Sequence, residues 1–129
     1  MPPRRRTDPA AGLAAVRTWA AGPEVADRTT TATAVRWSLE ELGERTPGNA
    51  VEVRVPPFGV VQCVPGPRHT RGTPPNVVEA DAATWLALVT GSLGWADALA
   101  AGRVRASGGR ADVSPWLPLV RTDVGTVEG

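Results

Sequence analysis

The chain has 129 residues, and its 14 basic and 13 acidic side chains leave a formal net charge of +1. This length fits one domain with a buried core, and the even charge balance argues against a dedicated nucleic-acid binder. A single cysteine cannot form an internal disulfide, which favours a reducing compartment. Because the sequence contains no apolar run typical of a signal peptide or transmembrane helix, we expect a soluble cytoplasmic protein.

The sequence predicts two tails around one domain. Residues 1–7 form a basic tail that is predicted to be disordered, residues 8–121 a single domain, and residues 122–129 a flexible C-terminal tail. Arg4, Arg5 and Arg6 suggest a membrane tether as an alternative role for the first tail. Three arginines contribute only about 1 kcal/mol each near an anionic membrane, which is too little for an anchor. A solvated tail is therefore the simpler interpretation.

Two helices are predicted in the N-terminal part of the domain. Asp8 and Pro9 supply an N-cap and a first helical residue, and Gly22 with Pro23 ends this helix. A second helix begins near residues 26–28 and ends at Gly43. Its apolar residues recur at the spacing of a buried stripe and are predicted to be core residues rather than a ligand site: Ala32, Val35, Leu39 and Leu42.

Two strands follow as a hairpin. Residues 50–55 alternate valine with charged residues, as a half-buried strand does, and residues 60–64 return after a proline-containing turn. Cys63 lies in the second of these strands without a local histidine or aspartate that would activate it. It is predicted to be an inert buried thiol.

The connection from Pro65 to Pro75 contains chemistry that a core does not explain. A possible anion-binding loop is formed by Arg68, His69, Thr70 and Arg71. Two guanidiniums, an imidazole and a hydroxyl can hold a phosphate or a carboxylate. The alternative is a solvated connection whose arginines meet surface acids. One histidine makes neither a zinc site nor a Ser-His-Asp arrangement, so no metal and no cofactor are predicted.

The second half of the chain has the pattern strand, helix, helix, strand. Residues 76–80 are β-branched and suit a strand, Asp81 stands at an N-cap position, and Gly91 suits the end of the helix. A second, short helix ends at Gly102. Residues 103–107 then alternate as a half-buried strand does.

The last predicted element is a short helix. Asp112 or Ser114 caps it, and Pro115 is its first residue. Pro118 should shorten or kink it, because proline removes a backbone donor inside a helix.

The succession in residues 76–109 resembles the sterol carrier protein type 2 (SCP2) sterol-binding domain family in its short actinobacterial form. In that family a strand that ends in an acidic residue precedes a helix, a glycine and a short helix. The next strand has the type seen here in residues 102–108, Gly-Arg-Val-Arg-Ala-Ser-Gly. The resemblance is good over residues 76–109, fair to about residue 120 and loose upstream. Pro118 departs from the continuous amphipathic helix that the family has there.

The resemblance implies an α+β fold, with a curved, mostly antiparallel sheet of about five strands covered by helices. It also implies a non-catalytic carrier that binds a fatty acid, an acyl-CoA or a sterol in an apolar cavity between helices and sheet. Eight residues are predicted to line that cavity: Trp85, Leu86, Val89, Trp95, Leu99, Trp116, Leu117 and Val120. Since each buried methylene contributes about 0.8 kcal/mol, such binding needs no polar anchor.

Two alternatives to a lipid carrier are open. The five tryptophans can fill the space themselves, which leaves a collapsed core with an interaction or enzyme-accessory role and no lipid. SCP2-like domains are similar to the C-terminal domains of thiol-dependent isomerases and transferases, but the metal site of those enzymes lies in a separate four-helix domain that this chain has no room for. An enzyme that uses Arg68, His69 and Arg71 on an anionic substrate lacks a nucleophile. The chain is therefore predicted not to be an enzyme.

Overall fold

The computed structural model describes residues 7–66 and 76–121. Within these ranges the chain forms four α-helices, a four-stranded sheet and one short 3₁₀ helix. The predicted anion-binding loop, with Arg68, His69, Thr70 and Arg71, lies outside the described residues. So do residues 1–6 and 122–129 of the two predicted tails.

The elements follow one another along the chain as two helices, three strands, two helices and a last strand, with the 3₁₀ helix after it. Their bounds are α1 (Pro9–Ala21), α2 (Arg28–Arg45), β1 (Val51–Val55), β2 (Gly59–Cys63), β3 (Asn76–Ala80), α3 (Ala82–Thr90), α4 (Trp95–Ala100), β4 (Val104–Ser107) and the 3₁₀ helix Ser114–Trp116.

Local capping signals explain where the helices begin and end. The carboxylate of Asp8 accepts a hydrogen bond from the Ala11 N–H at 2.9 Å, and that of Asp81 accepts one from the Thr84 N–H at 2.7 Å. Each bond satisfies one of the amides that the first turn of a helix leaves free. Gly91 ends α3 with a φ of 83°, a left-handed conformation that glycine adopts at little cost. These predicted caps are confirmed.

Helix α2 runs two residues past its predicted end at Gly43. The glycine belongs to the helix interior because it faces strand β2: a Cβ atom at this position would lie 3.0 Å from Cγ2 of Val61. Gly43 therefore allows close packing of α2 against the sheet instead of ending the helix.

The sheet has the strand order β2-β1-β3-β4. Strand β1 pairs antiparallel with β2 and parallel with β3, and β3 pairs antiparallel with β4. The predicted α+β class agrees with this architecture, but the prediction of about five strands is wrong for the described residues, which contain four. Local sequence patterns identified those four strands: alternation for residues 50–55 and 103–107, β-branched content for residues 76–80 and the preceding turn for residues 60–64. The fifth strand was implied by the family resemblance alone.

The two faces of the sheet differ sharply in polarity. Val51, Val53 and Val55 of β1 are fully buried, whereas Glu52 and Arg54 between them are only half-buried and bonded to each other on the other face. The buried face joins the helices in one core cluster that contains residues of α1, α2, α3 and all four strands. The helices therefore cover one face of the sheet.

Helices α1 and α2 approach closely at one point. A Cβ atom on Gly12 of α1 would lie 2.1 Å from Cγ of Trp37 on α2, and Trp37 is buried. Contacts this short do not occur between real atoms, so the absence of a side chain at residue 12 is what allows the indole to lie between the two helices.

We expect Gly12→Ala to destabilise the protein by about 1–3 kcal/mol, as overpacking of a core does. This sign is opposite to the gain of about 0.5–1 kcal/mol that alanine usually brings in place of glycine inside a helix. The free energy of unfolding, measured with denaturant, checks the prediction. Gly109→Ala is the control because no atom lies within 4 Å of its Cβ position. A Gly12→Ala protein as stable as the parent would contradict the packing described here.

Candidate functional site

Three of the eight predicted lipid-lining residues lie on α3 and are fully buried. Trp85, Leu86 and Val89 have relative exposures of 0% and belong to the core cluster. The Asp81 cap and the Gly91 turn fix the start and end of this nine-residue helix, and its apolar residues face inward from there. These three predicted lipid-lining residues therefore lie close together, but inside a packed core.

The indole of Trp85 is held in a single orientation by a buried pair of hydrogen bonds. Its Nε1 donates to Oγ of Ser38 on α2 at 2.8 Å. The Ser38 hydroxyl in turn donates to the carbonyl oxygen of Val35 at 2.8 Å. Since a buried indole N–H needs a partner, Ser38 determines how Trp85 packs between α2 and α3.

Three more of the predicted residues lie in residues 114–121, which we call the C-terminal segment. It is attached to α3 through the carbonyl oxygen of Val89, which accepts hydrogen bonds from the Leu119 and Val120 amides at 2.9 and 3.0 Å. Nη2 of Arg45 on α2 donates to the Leu119 carbonyl oxygen at 3.1 Å. Val120 is buried in this arrangement, and Trp116 and Leu117 are half-buried. The C-terminal segment therefore covers the end of α3.

The predicted short helix in this region is a single turn of 3₁₀ helix, Ser114–Trp116. Its N-cap is Val113 and not the predicted Asp112 or Ser114. Asp112 lies one residue earlier, and its Oδ1 accepts a hydrogen bond from the Ser114 N–H at 2.8 Å. Leu117 is already extended, and Pro118 follows it. Of the two effects predicted for Pro118, shortening or kinking, the structure shows a shortened helix.

The two remaining predicted residues lie on the six-residue helix α4. Trp95 is half-buried against the core, whereas Leu99 is 41% exposed and lies outside the core cluster. The eight residues thus divide into a buried group (Trp85, Leu86, Val89 and Val120), a half-buried group (Trp95, Trp116 and Leu117) and the exposed Leu99.

An open groove of about 680 Å³ lies elsewhere, between α2 and the edge strand β2. Its apolar part includes Leu39, Val60 and Val61, and its charged rim consists of Arg36 and three glutamates. The full lining is Arg36, Leu39, Glu40, Gly43, Glu44, Glu52, Gly59, Val60, Val61 and Gln62. None of the eight predicted lipid-lining residues belongs to it.

Sequence reasoning missed this groove because the groove depends on which strand lies at the edge of the sheet. Strand order is a long-range property that the alternation of one strand does not reveal. One available local signal was a pair of glycines, Gly43 and Gly59, which mark where α2 and β2 approach each other closely beside the groove. Val60 was a second signal, since it is an apolar residue at an outward position and is 58% exposed.

Cys63 of β2 is buried with a relative exposure of 0%. Burial raises the pKa of its thiol to about 12, because the thiolate is poorly solvated there. The burial of Cys63 and the raised pKa of its thiol agree with the predicted inert buried thiol.

Within residues 7–66 and 76–121, no group of three or more His, Cys, Asp or Glu side chains is arranged to hold a metal ion. No helix of this part of the chain is long and apolar enough to cross a membrane.

Comparison with protein families gives a match over most of the chain. The sequence profile of a family described as bacterial SCP ortholog matches residues 27–119, which is well over half of the chain. The matched range begins at the N-cap of α2 and includes every strand of the sheet, α3, α4 and most of the C-terminal segment. No curated protein matches the chain significantly.

A double-mutant cycle tests the Trp85–Ser38 hydrogen bond. We expect Ser38→Ala to lower the free energy of unfolding by about 1–3 kcal/mol, because it leaves a buried indole N–H without an acceptor. In a Trp85→Phe background the same change should have little effect, which gives a coupling energy of about 1 kcal/mol or more. Purely additive effects of the two substitutions, measured by denaturant unfolding, would contradict the proposed role of Ser38.

The raised pKa of Cys63 predicts how stability depends on pH. Below pH 9 the thiol is protonated in both the folded and the unfolded chain and contributes no pH dependence. Between pH 9 and 12 only the unfolded chain loses this proton, so stability should fall by about 1.4 kcal/mol per pH unit. The chain contains no lysine and no tyrosine that would titrate in this range.

Unfolding measured at intervals from pH 8 to pH 11 checks this slope. In the control variant Cys63→Val the slope should disappear. An equal slope in parent and variant would show that another group causes it.

Proposed function

Because the chain belongs to the SCP2-like sterol carrier family described as bacterial SCP ortholog, we propose that it is a non-catalytic carrier that binds one fatty-acyl chain or sterol. The family match over residues 27–119 is the observation that carries this proposal. The separation of the sheet into a polar face and an apolar, helix-covered face supports it, since a lipid needs an interior of the second kind.

We place the lipid beneath the C-terminal segment, against α3. Trp85, Leu86 and Val89 are the proposed floor of this site, and Trp116, Leu117 and Val120 its cover. The cover is a short, irregular segment with one 3₁₀ turn, and two backbone hydrogen bonds join it to α3. Segments of this kind open locally at a lower free energy than regular core elements. An acyl chain that takes the place of the cover regains about 0.8 kcal/mol per buried methylene.

Helix α4 is the proposed point of entry. Leu99 is 41% exposed and Trp95 half-buried, so this helix offers apolar surface to a chain that still lies partly in solvent. The loop with Arg68, His69, Thr70 and Arg71 stays a proposed site for the carboxylate or phosphate of the same ligand, and it lies outside the described residues.

The second candidate function is a protein-interaction or enzyme-accessory module without bound lipid. Two observations favour it. The proposed floor is tightly packed in the structure, with Trp85 hydrogen-bonded to Ser38. The open groove between α2 and β2 offers a surface for another chain. Lipid binding by the purified protein distinguishes the two functions.

A disulfide that fixes the cover to α3 tests the lipid site. A Cβ atom on Gly91 would lie 3.4 Å from Cβ of Pro118, close to the roughly 3.5–4.5 Å that a disulfide requires. We expect oxidised Gly91→Cys/Pro118→Cys protein to bind a fluorescent fatty-acid probe at least about tenfold more weakly, equivalent to ~1.4 kcal/mol, than the reduced protein.

The reduced form of the same variant is the matched control, because it carries both substitutions without the link. The buried Cys63 thiol, with its raised pKa, should not exchange with the new disulfide. Equal binding by the two forms would show that lipid does not enter beneath the C-terminal segment. A parent protein that binds neither the fatty-acid probe nor a sterol probe would overturn the carrier function itself.

A further inference from the structure

Arg45 lies where the C-terminal segment meets helix α2. It is the last residue of α2, and its Nη2 donates to the Leu119 carbonyl oxygen at 3.1 Å. Its Nε forms an ion pair with Oε2 of Glu41 at 2.8 Å. The side chain of Arg45 is 41% exposed. The guanidinium group is therefore held at the boundary between the solvent and the proposed lipid site, with Nη2 directed at the C-terminal segment.

Hydrogen bonds of Leu119 and Val120 attach the C-terminal segment to both α2 and α3. Their amides donate to the carbonyl oxygen of Val89, and the Leu119 carbonyl oxygen accepts from Arg45. A lipid that takes the place of the segment moves these two residues away and breaks the bond to Arg45. The guanidinium group stays in place on α2, because Glu41 still bonds its Nε. The lipid thus meets a positively charged donor that has lost its acceptor.

A carboxylate is the head group that suits this donor best. The Leu119 carbonyl oxygen is a neutral acceptor, whereas a carboxylate accepts charge-assisted hydrogen bonds, which are about twice as strong. The two carboxylate oxygens also match the planar fork of Nη1 and Nη2, while Nε stays with Glu41. The hydroxyl of a sterol and the carbonyl of an ester carry no charge. Because Arg45 is 41% exposed, a carboxylate beside it stays partly hydrated, which limits the cost of removing its charge from water.

We propose that Arg45 binds the carboxylate of the lipid, and that the ligand is therefore a free fatty acid rather than a sterol or an acyl ester. This inference rests on the proposed carrier function and adds the specificity of the same site. Arg45 has one role in each state of the protein. Without lipid it holds the C-terminal segment through Leu119, and with lipid it holds the head group. Because the guanidinium group has an acceptor in both states, opening of the segment leaves no donor unpaired at Arg45.

Displacement of a neutral fluorescent probe, N-phenyl-naphthylamine, by dodecanoate and by methyl dodecanoate measures this recognition. The two compounds share one acyl chain, and at about pH 8 only dodecanoate is charged. We expect the parent protein to bind dodecanoate at least about tenfold more tightly than the ester. The ratio of the two affinities should fall to about one in Arg45→Gln and be intermediate in Arg45→Lys, which keeps the charge without the fork.

Arg105→Gln is the matched control. It removes the same charge from an exposed position on β4, and it should keep the parent ratio. An equal fall of the ratio in Arg105→Gln would overturn the proposal, because the net charge of the protein would then explain the preference. If Arg45→Gln does not fold, the ratio in Arg45→Lys decides, and a parent ratio there would overturn the proposal.

The ratio also separates recognition of the head group from a structural role of Arg45. Loosening of the C-terminal segment alone would change the affinity for both compounds by the same factor and leave the ratio as it is. Equal ratios in the parent and in Arg45→Gln would therefore overturn the proposal, while binding of both compounds would leave the carrier function intact. A ratio lost in Arg68→Gln/Arg71→Gln instead would overturn it and assign the carboxylate to that loop. A parent protein that binds neither compound would overturn the carrier function and this proposal together.

Discussion

The buried hydrogen bond from Trp85 to Ser38 joins the two helices on which both candidate surfaces depend. Helix α2 carries Ser38, the rim glutamates of the groove and Arg45, which holds the C-terminal segment. Helix α3 carries Trp85 and Val89, to which the same segment is bonded. Loss of this bond would leave a buried indole N–H without an acceptor and weaken the packing of α3 on α2. These two helices support both the cover over α3 and the groove beside β2.

The proposed lipid site and the groove have opposite chemistry, although α2 and α3 support both. One consists of apolar side chains beneath an irregular cover, which suits a ligand without charge along most of its length. The other is a groove with three glutamates on its rim, which does not suit an anionic lipid. This difference is why the lipid is assigned to the apolar side chains beneath the cover and not to the groove, although a groove of about 680 Å³ is within the usual size of a ligand site.

Features that depend on neighbouring residues were predictable from the sequence. Asp8 and Asp81 as caps, Gly91 as a helix end and the alternation of Val51, Val53 and Val55 all follow from interactions within a few residues. Features that depend on strand order were not predictable in this way. The groove exists because β2 lies at the edge of the sheet and α2 packs beside it. Neither fact can be predicted from the sequence of one of these segments alone.

Two differences between the sequence predictions and the structure have simple physical causes. The fifth strand was inferred from resemblance alone, and the described residues contain four strands. Leu99 was assigned to the cavity by its apolar character, but α4 has six residues, too few for helical periodicity to show which face is buried. Its 41% exposure is therefore a property of how α4 packs against β4 and the core, which the sequence pattern does not contain.

The central claim, that this chain carries a lipid, is tested most directly by native mass spectrometry of the protein purified from its own cells without detergent. The account predicts a species heavier than the chain by the mass of one fatty acid or sterol, and loss of that mass after extraction with organic solvent. A single species at the mass of the bare chain, from a preparation whose solvent extract contains no lipid, would contradict it.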